Sequence, residues 1–255
     1  MQRLTLFLLS LALFAGCARE KIERVEWTTM STVAALQWVG EETPEIEAAK
    51  EVFERIVSLC NAHDATSELS RLAGSDDAVV LRKCDREVKP CYAAAFRLRD
   101  ETGGRFDPRW RGAKTLDLGA IAKGFAVDLA AERLKTNGVR RMLVDLGGNL
   151  KAVRGDWNVG ILGGETFTLR EGEACATSAK YYRGEHIVNA ATGEKVGGSL
   201  RSVTVVHPTS AMLADGLSTV MFILGREAGE RFLKERYPEA RVIWSDKTDK
   251  AGRPD

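Results

Sequence analysis

Apolar residues recur at helical spacing in five segments of the chain. In residues 44–61 they fall three and four positions apart, so that they would share one face of a helix. The same spacing predicts further helices at 87–102, 121–137, Ala211–Leu224 and Arg226–Arg236. Gly103-Gly104 and Gly138 follow two of these segments, as expected where helices end.

Shorter segments with alternating polar and apolar positions, or rich in β-branched residues, predict strands. They lie at 25–27, 33–39, 142–146, 150–153, 157–162, 167–169, 174–178, 185–189, Ser202–His207 and 242–244. Residues 64–72 are predicted to form a polar turn. Repeats and long linkers are absent from the sequence. The order of elements predicts an α+β fold, a single domain over residues 17–255 with a mixed or antiparallel sheet core and flanking helices.

The N-terminus has the features of a targeting segment. Arg3 precedes an apolar run at 4–14, which is too short to span a bilayer, and Phe14-Ala15-Gly16-Cys17 resembles a bacterial lipobox. We expect residues 1–16 to be a lipoprotein signal peptide and Cys17 to carry the lipid, with simple secretion as the alternative. The mature chain is then expected in the cell envelope, lipid-anchored and facing the periplasm or the cell exterior.

Composition narrows the function classes. The formal net charge of +1 provides no bulk field that would attract nucleic acid. The three histidines are scattered and no Cys-x-x-Cys occurs, so no zinc pattern is present. In an oxidising compartment the four remaining cysteines predict one or two disulfides, with the pairing left open. These cysteines are Cys60, Cys84, Cys91 and Cys175.

Residues 116–128, Leu-Asp-Leu-Gly-Ala-Ile-Ala-Lys-Gly-Phe-Ala-Val-Asp, read as a loop that leads into a helix. Small residues after Asp117 would let free backbone N–H groups approach a phosphate, and the helix dipole favours negative charge. Lys123 adds a cation. The alternative is that Asp117 caps the helix and Lys123 is a solvated surface residue.

Asp215 lies within an otherwise apolar predicted helix, and Ser218 and Thr219 share its face. A carboxylate there is costly unless it is paired, hydrogen-bonded or bound to a metal. An oxygen cluster of this kind suits Mg²⁺, whereas the alternative is an acid bonded to nearby backbone or to its own Ser and Thr. His186, at the start of a predicted strand, is a candidate base or a structural histidine, and Asp145 is a candidate turn residue.

Seven stretches, in order, resemble motifs of the FAD:protein FMN transferase family (ApbE). Each motif is weak alone, but the shared order makes the resemblance specific. The stretches are residues 64–72, 103–108, 116–128, 144–149, 176–178, 186–193 and 211–219.

The resemblance implies a reaction and assigns roles to residues. FAD would be split, its FMN half would pass to a Ser or Thr hydroxyl of a periplasmic flavin-acceptor protein as a phosphoester, and AMP would leave. His186 would be the base for that hydroxyl. Mg²⁺, or Mn²⁺ in its place, would be held by the Ala120 carbonyl, Asp215 and Thr219, with Ser218 adjacent. The implied FAD contacts are Met30, Asp117, Lys123 and Ile187.

The sequence departs from the family pattern at three points. Only residues 109–116 separate Phe-Asp-Pro from Leu-Asp-Leu, where the family has several tens of residues that include FAD contacts. Part of the flavin pocket is therefore expected to be missing or built differently. Ala190 replaces a proline, and Ser31-Thr32 replaces Gly-Thr after Met30. Two alternative functions are FAD hydrolysis to FMN and AMP, and non-catalytic flavin binding by a lipoprotein.

Overall fold

The computed structural model describes residues 20–41, 43–134, 138–161, 166–179, 187–196 and 200–245. The predicted signal peptide, Cys17 and His186 lie outside these ranges. No helix within them combines the length and apolar character needed to cross a membrane.

Two strands, β1 and β2, open the described chain and four helices follow them. Their bounds are β1 Glu23–Thr29, β2 Thr32–Gly40, α1 Ile46–Cys60, α2 Glu68–Leu72, α3 Asp77–Lys83 and α4 Lys89–Glu101. A fifth helix, α5 (Ala122–Arg133), precedes a run of strands: β3 Val139–Leu146, β4 Asn149–Arg154, β5 Trp157–Gly160, β6 Thr166–Leu169, β7 Ala174–Ala179, β8 Val188–Asn189, β9 Glu194–Lys195 and β10 Ser202–His207. The described chain ends with α6 Ala211–Leu224, α7 Arg226–Arg236 and β11 Arg241–Ser245.

A seven-stranded sheet organises these elements. Its order is β1-β2-β3-β4-β7-β10-β11, and every neighbouring pair is antiparallel. The pairs β5–β6 and β8–β9 form separate hairpins. The predicted α+β class is confirmed, and the sheet is antiparallel rather than mixed.

The two faces of the sheet bury different partners, because successive side chains of a strand point to opposite faces. On β3, Met142 and Val144 belong to the main core, in which the helices pack. Leu143, between them, belongs to a smaller cluster with Trp157 and Leu169 of the β5–β6 hairpin. Helices and hairpin thus cover the sheet from opposite sides.

Two helical segments differ from the sequence prediction. The polar stretch at 64–72 contains α2, because the Ser67 side chain accepts the N–H of Ser70 and starts a helix where a turn was expected. The short helix α3 was not predicted. By contrast, α6 and α7 have the predicted bounds, since Ser210 caps α6 and Gly225, with a positive φ, separates the two helices.

The prediction of one or two disulfides is wrong for this structure. The four cysteines outside the N-terminal segment are all free thiols. Cys60 and Cys91 are buried in the main core, whereas Cys175 lies in the cluster on the opposite face of the sheet. Burial raises the pKa of Cys60 and of Cys175 to about 12, which keeps both thiols in the unreactive protonated form.

Candidate active site

Helices α5 and α6 approach each other closely at Gly124. A Cβ atom at this position would lie 2.1 Å from the carbonyl oxygen of Ala211. The missing side chain lets the Gly124 N–H donate to Oδ2 of Asp215 at 3.0 Å. The Asp215 carboxylate, only 6% exposed, is therefore stabilised by a hydrogen bond from the neighbouring helix.

Lys123 links the 116–128 loop to the same carboxylate. Its Nζ lies 3.6 Å from Oδ2 of Asp215 and donates to the carbonyl oxygen of Gly119 at 3.2 Å. Because Gly119 and Lys123 flank Ala120 in the chain, the loop that contains Ala120 meets α6 beside Asp215. The structure thus brings together two stretches that are far apart in the sequence, since Gly124 and Asp215 are 91 residues apart.

Two hydroxyl groups of α6, close to Asp215 in the chain, lie together with one hydroxyl group of β7. Ser178 of β7 is hydrogen-bonded to Ser218 at 2.8 Å and to Thr219 at 3.2 Å. The Ser218 hydroxyl donates to the backbone carbonyl of Asp215 at 2.8 Å, so it does not stabilise the carboxylate itself. Of the two alternatives for Asp215, the bond to backbone is the one observed, from the Gly124 N–H, whereas the Ser218 hydroxyl bonds to the Asp215 carbonyl and not to the carboxylate. Ser178 was not singled out in the sequence, although it ends the Ala-Thr-Ser motif at 176–178.

The residues present fit a divalent cation of the magnesium type. Within the described ranges, no group of three or more His, Cys, Asp or Glu side chains could hold a metal. One carboxylate with hydroxyl and carbonyl oxygens suits Mg²⁺, which keeps several waters and binds substrate phosphates. Both contacts that Asp215 makes through its carboxylate to described residues fall on Oδ2, so Oδ1 is the oxygen left for a cation.

Several backbone N–H groups of the 116–128 loop donate to acceptors within the protein. Gly119 donates to Oδ1 of Asp117 at 2.8 Å, and the N–H groups of Ile121 and Ala122 both point to the Leu118 carbonyl. These three N–H groups are therefore not free to bind a phosphate. Asp117 does not cap α5 either, because it closes this turn instead. The charge of a bound diphosphate would have to be balanced by cations.

Met30, one of the FAD contacts that the resemblance implies, lies in a strained turn. Met30 and Ser31 join β1 to β2 with φ of 49° and 56°, a left-handed conformation that hairpin turns usually give to Asn-Gly. Met30 is half-buried against the main core. Its conformation fixes where its side chain leaves the backbone.

Ile187 and Asp145 are placed near turns. Ile187, which precedes β8, is buried, and its carbonyl accepts the N–H of Val196 at 2.9 Å. Asp145 accepts the N–H of Gly148 at 2.9 Å, and desolvation by burial raises the pKa of its carboxyl. The interpretation of Asp145 as a turn residue is confirmed.

Asp128, the last residue of the 116–128 motif, has a role that the sequence analysis missed. Its carboxylate accepts hydrogen bonds from four groups around the start of α6: Lys151 Nζ at 2.7 Å, Ser210 Oγ at 2.9 Å, Ala211 N at 2.9 Å and Met212 N at 3.0 Å. An acid inside the apolar pattern of α5 was the available signal. Asp128 fixes the N-terminus of α6 against α5, one turn before Asp215.

We expect Asp128→Ala to lower the free energy of unfolding by about 2 kcal/mol, because the cap of α6 and the partner of Lys151 are lost together. Urea unfolding measures this. Asp76→Ala is the matched control, since Asp76 begins α3 without a side-chain capping bond and should change stability by less than about 0.5 kcal/mol. Equal losses in the two variants would contradict the assigned role.

Comparison with known proteins gives a consistent family relationship. The model of the ApbE family matches residues 109–244, slightly more than half of the chain. An FAD:protein FMN transferase of Klebsiella pneumoniae is 32% identical over 136 residues, which cover 48% of this chain and 42% of that protein. The protein of the same name from Treponema pallidum is 34% identical over 166 residues, which cover 53% of this chain and 45% of the relative. The chain thus spans less than half the length of the curated relatives that it matches.

Solved structures support the fold over nearly the whole chain. The flavin transferase ApbE of Vibrio cholerae superimposes with a TM-score of 0.74 at 20% identity, covering 90% of this chain and 95% of that one. The apo flavinyl transferase ApbE of Pseudomonas stutzeri gives 0.73 at 21% identity, covering 91% and 93%. At these identities the likeness concerns the fold.

Proposed function

Because the chain belongs to the ApbE family, we propose that it is a Mg²⁺-dependent FAD:protein FMN transferase. It cleaves the diphosphate of FAD, passes FMN to a Ser or Thr hydroxyl of an acceptor protein, and releases AMP. The names of the matched relatives support the substrate and the protein acceptor.

The observation that carries this proposal is the contact between the 116–128 loop and α6. A backbone N–H and a lysine ammonium group both approach one buried carboxylate, and the next turn of α6 carries two hydroxyl groups that are hydrogen-bonded to a third on β7. A protein that only bound a flavin ring would not need a buried acid there, since such an acid is expensive to desolvate. A cation site beside a lysine is what diphosphate cleavage requires.

The reaction balances with groups of this chain in defined roles. The acceptor hydroxyl oxygen forms a bond to the phosphorus on the FMN side of the diphosphate, and the bond from that phosphorus to the AMP oxygen breaks. The hydroxyl proton goes to His186, the candidate base. Lys123 balances charge on the phosphates. Mg²⁺, when held by Ala120, Asp215 and Thr219, supplies stabilisation of the negative charge that develops on the leaving phosphate.

We further propose that the protein works in the cell envelope, anchored through a lipid on Cys17 and facing the periplasm or cell exterior. The support is the lipobox-like sequence at 14–17 and the length of the apolar run before it. The acceptor is then a protein exposed in the same compartment. The even balance of basic and acidic residues gives no support to a nucleic-acid partner.

The deciding experiment is incubation of the protein with FAD and MgCl₂, with and without a flavin-acceptor protein, followed by measurement of AMP and of covalent FMN. We expect AMP to appear only when Mg²⁺ and acceptor are both present, in a one-to-one ratio with FMN on the acceptor. A parallel reaction with EDTA should produce neither AMP nor covalent FMN.

Other outcomes would replace the proposal. AMP and free FMN in the absence of acceptor would identify an FAD hydrolase, because water would then take the place of the hydroxyl. FAD binding without any AMP release would identify a non-catalytic flavin-binding protein.

A further inference from the structure

The short connection between Phe-Asp-Pro and Leu-Asp-Leu is a closed, anchored loop. Its two ends are joined where the N–H of Asp117 donates to the Pro108 carbonyl at 2.8 Å. The side chain of Arg109, which is only 11% exposed, anchors the loop to its surroundings. Its guanidinium group donates to the Asp77 carboxylate and to the carbonyl oxygens of Ala73, Ser75, Ala113 and Thr115. The loop therefore has a defined shape despite its length.

The next residue, Trp110, is presented to solvent by this anchored loop. It is 38% exposed, and among the described residues it is one of three large hydrophobic residues that are exposed, with Ile22 and Val33. The Trp38 and Trp157 residues, by comparison, are only 7% and 3% exposed. More than a third of Trp110 is thus accessible, so its ring can contact a ligand.

Trp110 is tied directly to the candidate active site. Its Nε1–H donates to Oδ2 of Asp117 at 3.2 Å, while Oδ1 of the same carboxylate accepts the N–H of Gly119. The carbonyl of Gly119 in turn accepts from Lys123, the lysine that approaches Asp215. A continuous chain of hydrogen bonds thus fixes the indole relative to the loop beside the proposed cation site.

A cation accompanies the indole. The guanidinium carbon of Arg111 lies 4.5 Å from the centroid of the Trp110 ring, and its Nη2 is 3.4 Å from Oδ2 of Asp117. An exposed indole with a stacked guanidinium group has the chemistry that recognises a planar heterocycle attached to a phosphate. Arg111 is itself 43% exposed at its side chain, so its guanidinium group is accessible to a phosphate.

We propose that Trp110 is a stacking platform for one planar ring of FAD, with Arg111 beside the diphosphate. The proposal rests on the proposed function, because it takes FAD as the substrate of the same site. It also explains how a chain with such a short connection retains a ring-binding surface: the anchored loop offers one aromatic face in place of a longer segment. The ring is either isoalloxazine or adenine, and both share the chemistry of a flat aromatic heterocycle.

The test is equilibrium binding of FAD to the whole protein in EDTA, by quenching of tryptophan fluorescence and by calorimetry, for the wild type, Trp110→Ala and Trp110→Phe. Base–aromatic stacking contributes about 1–3 kcal/mol, so Trp110→Ala should weaken FAD binding about 5- to 150-fold. Trp110→Phe keeps an aromatic ring but loses the hydrogen bond to Asp117, and should stay within about 5-fold of the wild type. Ile22→Ala, which removes another exposed apolar side chain, should leave binding unchanged.

Separate titrations with FMN and with ADP identify the ring. Only the nucleotide whose ring stacks on Trp110 should lose affinity in Trp110→Ala. Unchanged FAD affinity in Trp110→Ala would overturn the proposal, and so would an equal loss in Trp110→Phe, because the hydrogen bond to Asp117 would then be what matters. A wild type that shows the binding pattern but releases no AMP would refute the transferase and leave the platform standing.

Discussion

Asp215→Asn should lower the rate of Mg²⁺-dependent AMP release at least ~10²-fold while the protein stays folded. Asparagine can still accept the Gly124 N–H through its amide oxygen, but it lacks the charge that would hold a divalent cation and pair with Lys123. A bound cation contributes several kcal/mol of transition-state stabilisation, and each 1.4 kcal/mol is tenfold in rate. Asp215→Ala should lose at least as much activity and some stability, because the buried Gly124 N–H is left without a partner. AMP release and circular dichroism measure the two effects.

A matched carboxylate serves as the control for this prediction. Asp85 also accepts a backbone N–H, from Glu87 at 2.8 Å, and forms an ion pair, with Arg55, but it lies among the first helices of the chain. Asp85→Asn should leave turnover within about twofold of the wild type, since a surface ion pair contributes at most about 1 kcal/mol to stability. Normal turnover in Asp215→Asn would rule out the proposed cation site.

Gly124→Ala is expected to destabilise the protein by about 3 kcal/mol, although alanine is the better helix former by about 1 kcal/mol. The added Cβ would lie 2.1 Å from the Ala211 carbonyl oxygen and 2.8 Å from the Asp215 Cβ. Both obstacles belong to α6, so the two helices would have to separate and the hydrogen bond to Asp215 would break. Urea unfolding and AMP release should therefore both report the loss.

The opposite result is expected at a glycine with open surroundings. No atom comes within 4 Å of a Cβ built on Gly74. Gly74→Ala should be neutral or stabilising by up to about 1 kcal/mol, because it only reduces the freedom of the unfolded chain. If Gly124→Ala were as stable as Gly74→Ala, the close approach of α5 and α6 would be wrong.

The helices that the sequence predicted best are those with strong local signals. The bounds of α6 follow from the Ser210 cap and Gly225, and the face shared by Asp215, Ser218 and Thr219 follows from helical spacing alone. The start of α2 was not predicted because serine is common both in turns and at helix N-caps, and Ser67 fits either pattern. Local sequence fixes neither the order of the seven strands nor the antiparallel contact of β4 with β7, because both depend on distant residues.

The sequence placed the 116–128 loop and Asp215 in one site only through a family resemblance, and it did not indicate the hydrogen-bond partners of individual side chains. The hydrogen bond from Gly124 to Asp215 supports the prediction of a shared site. The roles of Ser178, Asp128 and Trp110 arise from contacts between segments that are far apart in the chain or in unrelated motifs. Hydrogen-bonding side chains of this kind carry no period in the sequence, so only the folded chain identifies their partners.

The separation of Gly124 and Asp215 along the chain bears on the order in which the protein folds. Strands β1 and β2 pair locally, as do β3 and β4, whereas β2 pairs with β3 only after five intervening helices have been made, and α6 follows later still. Along the chain, helix α6 lies between β10 and β11. Chain closure over such distances is slow compared with local hairpin formation. Nascent chains should therefore form their first hairpins well before α5 and α6 come into contact.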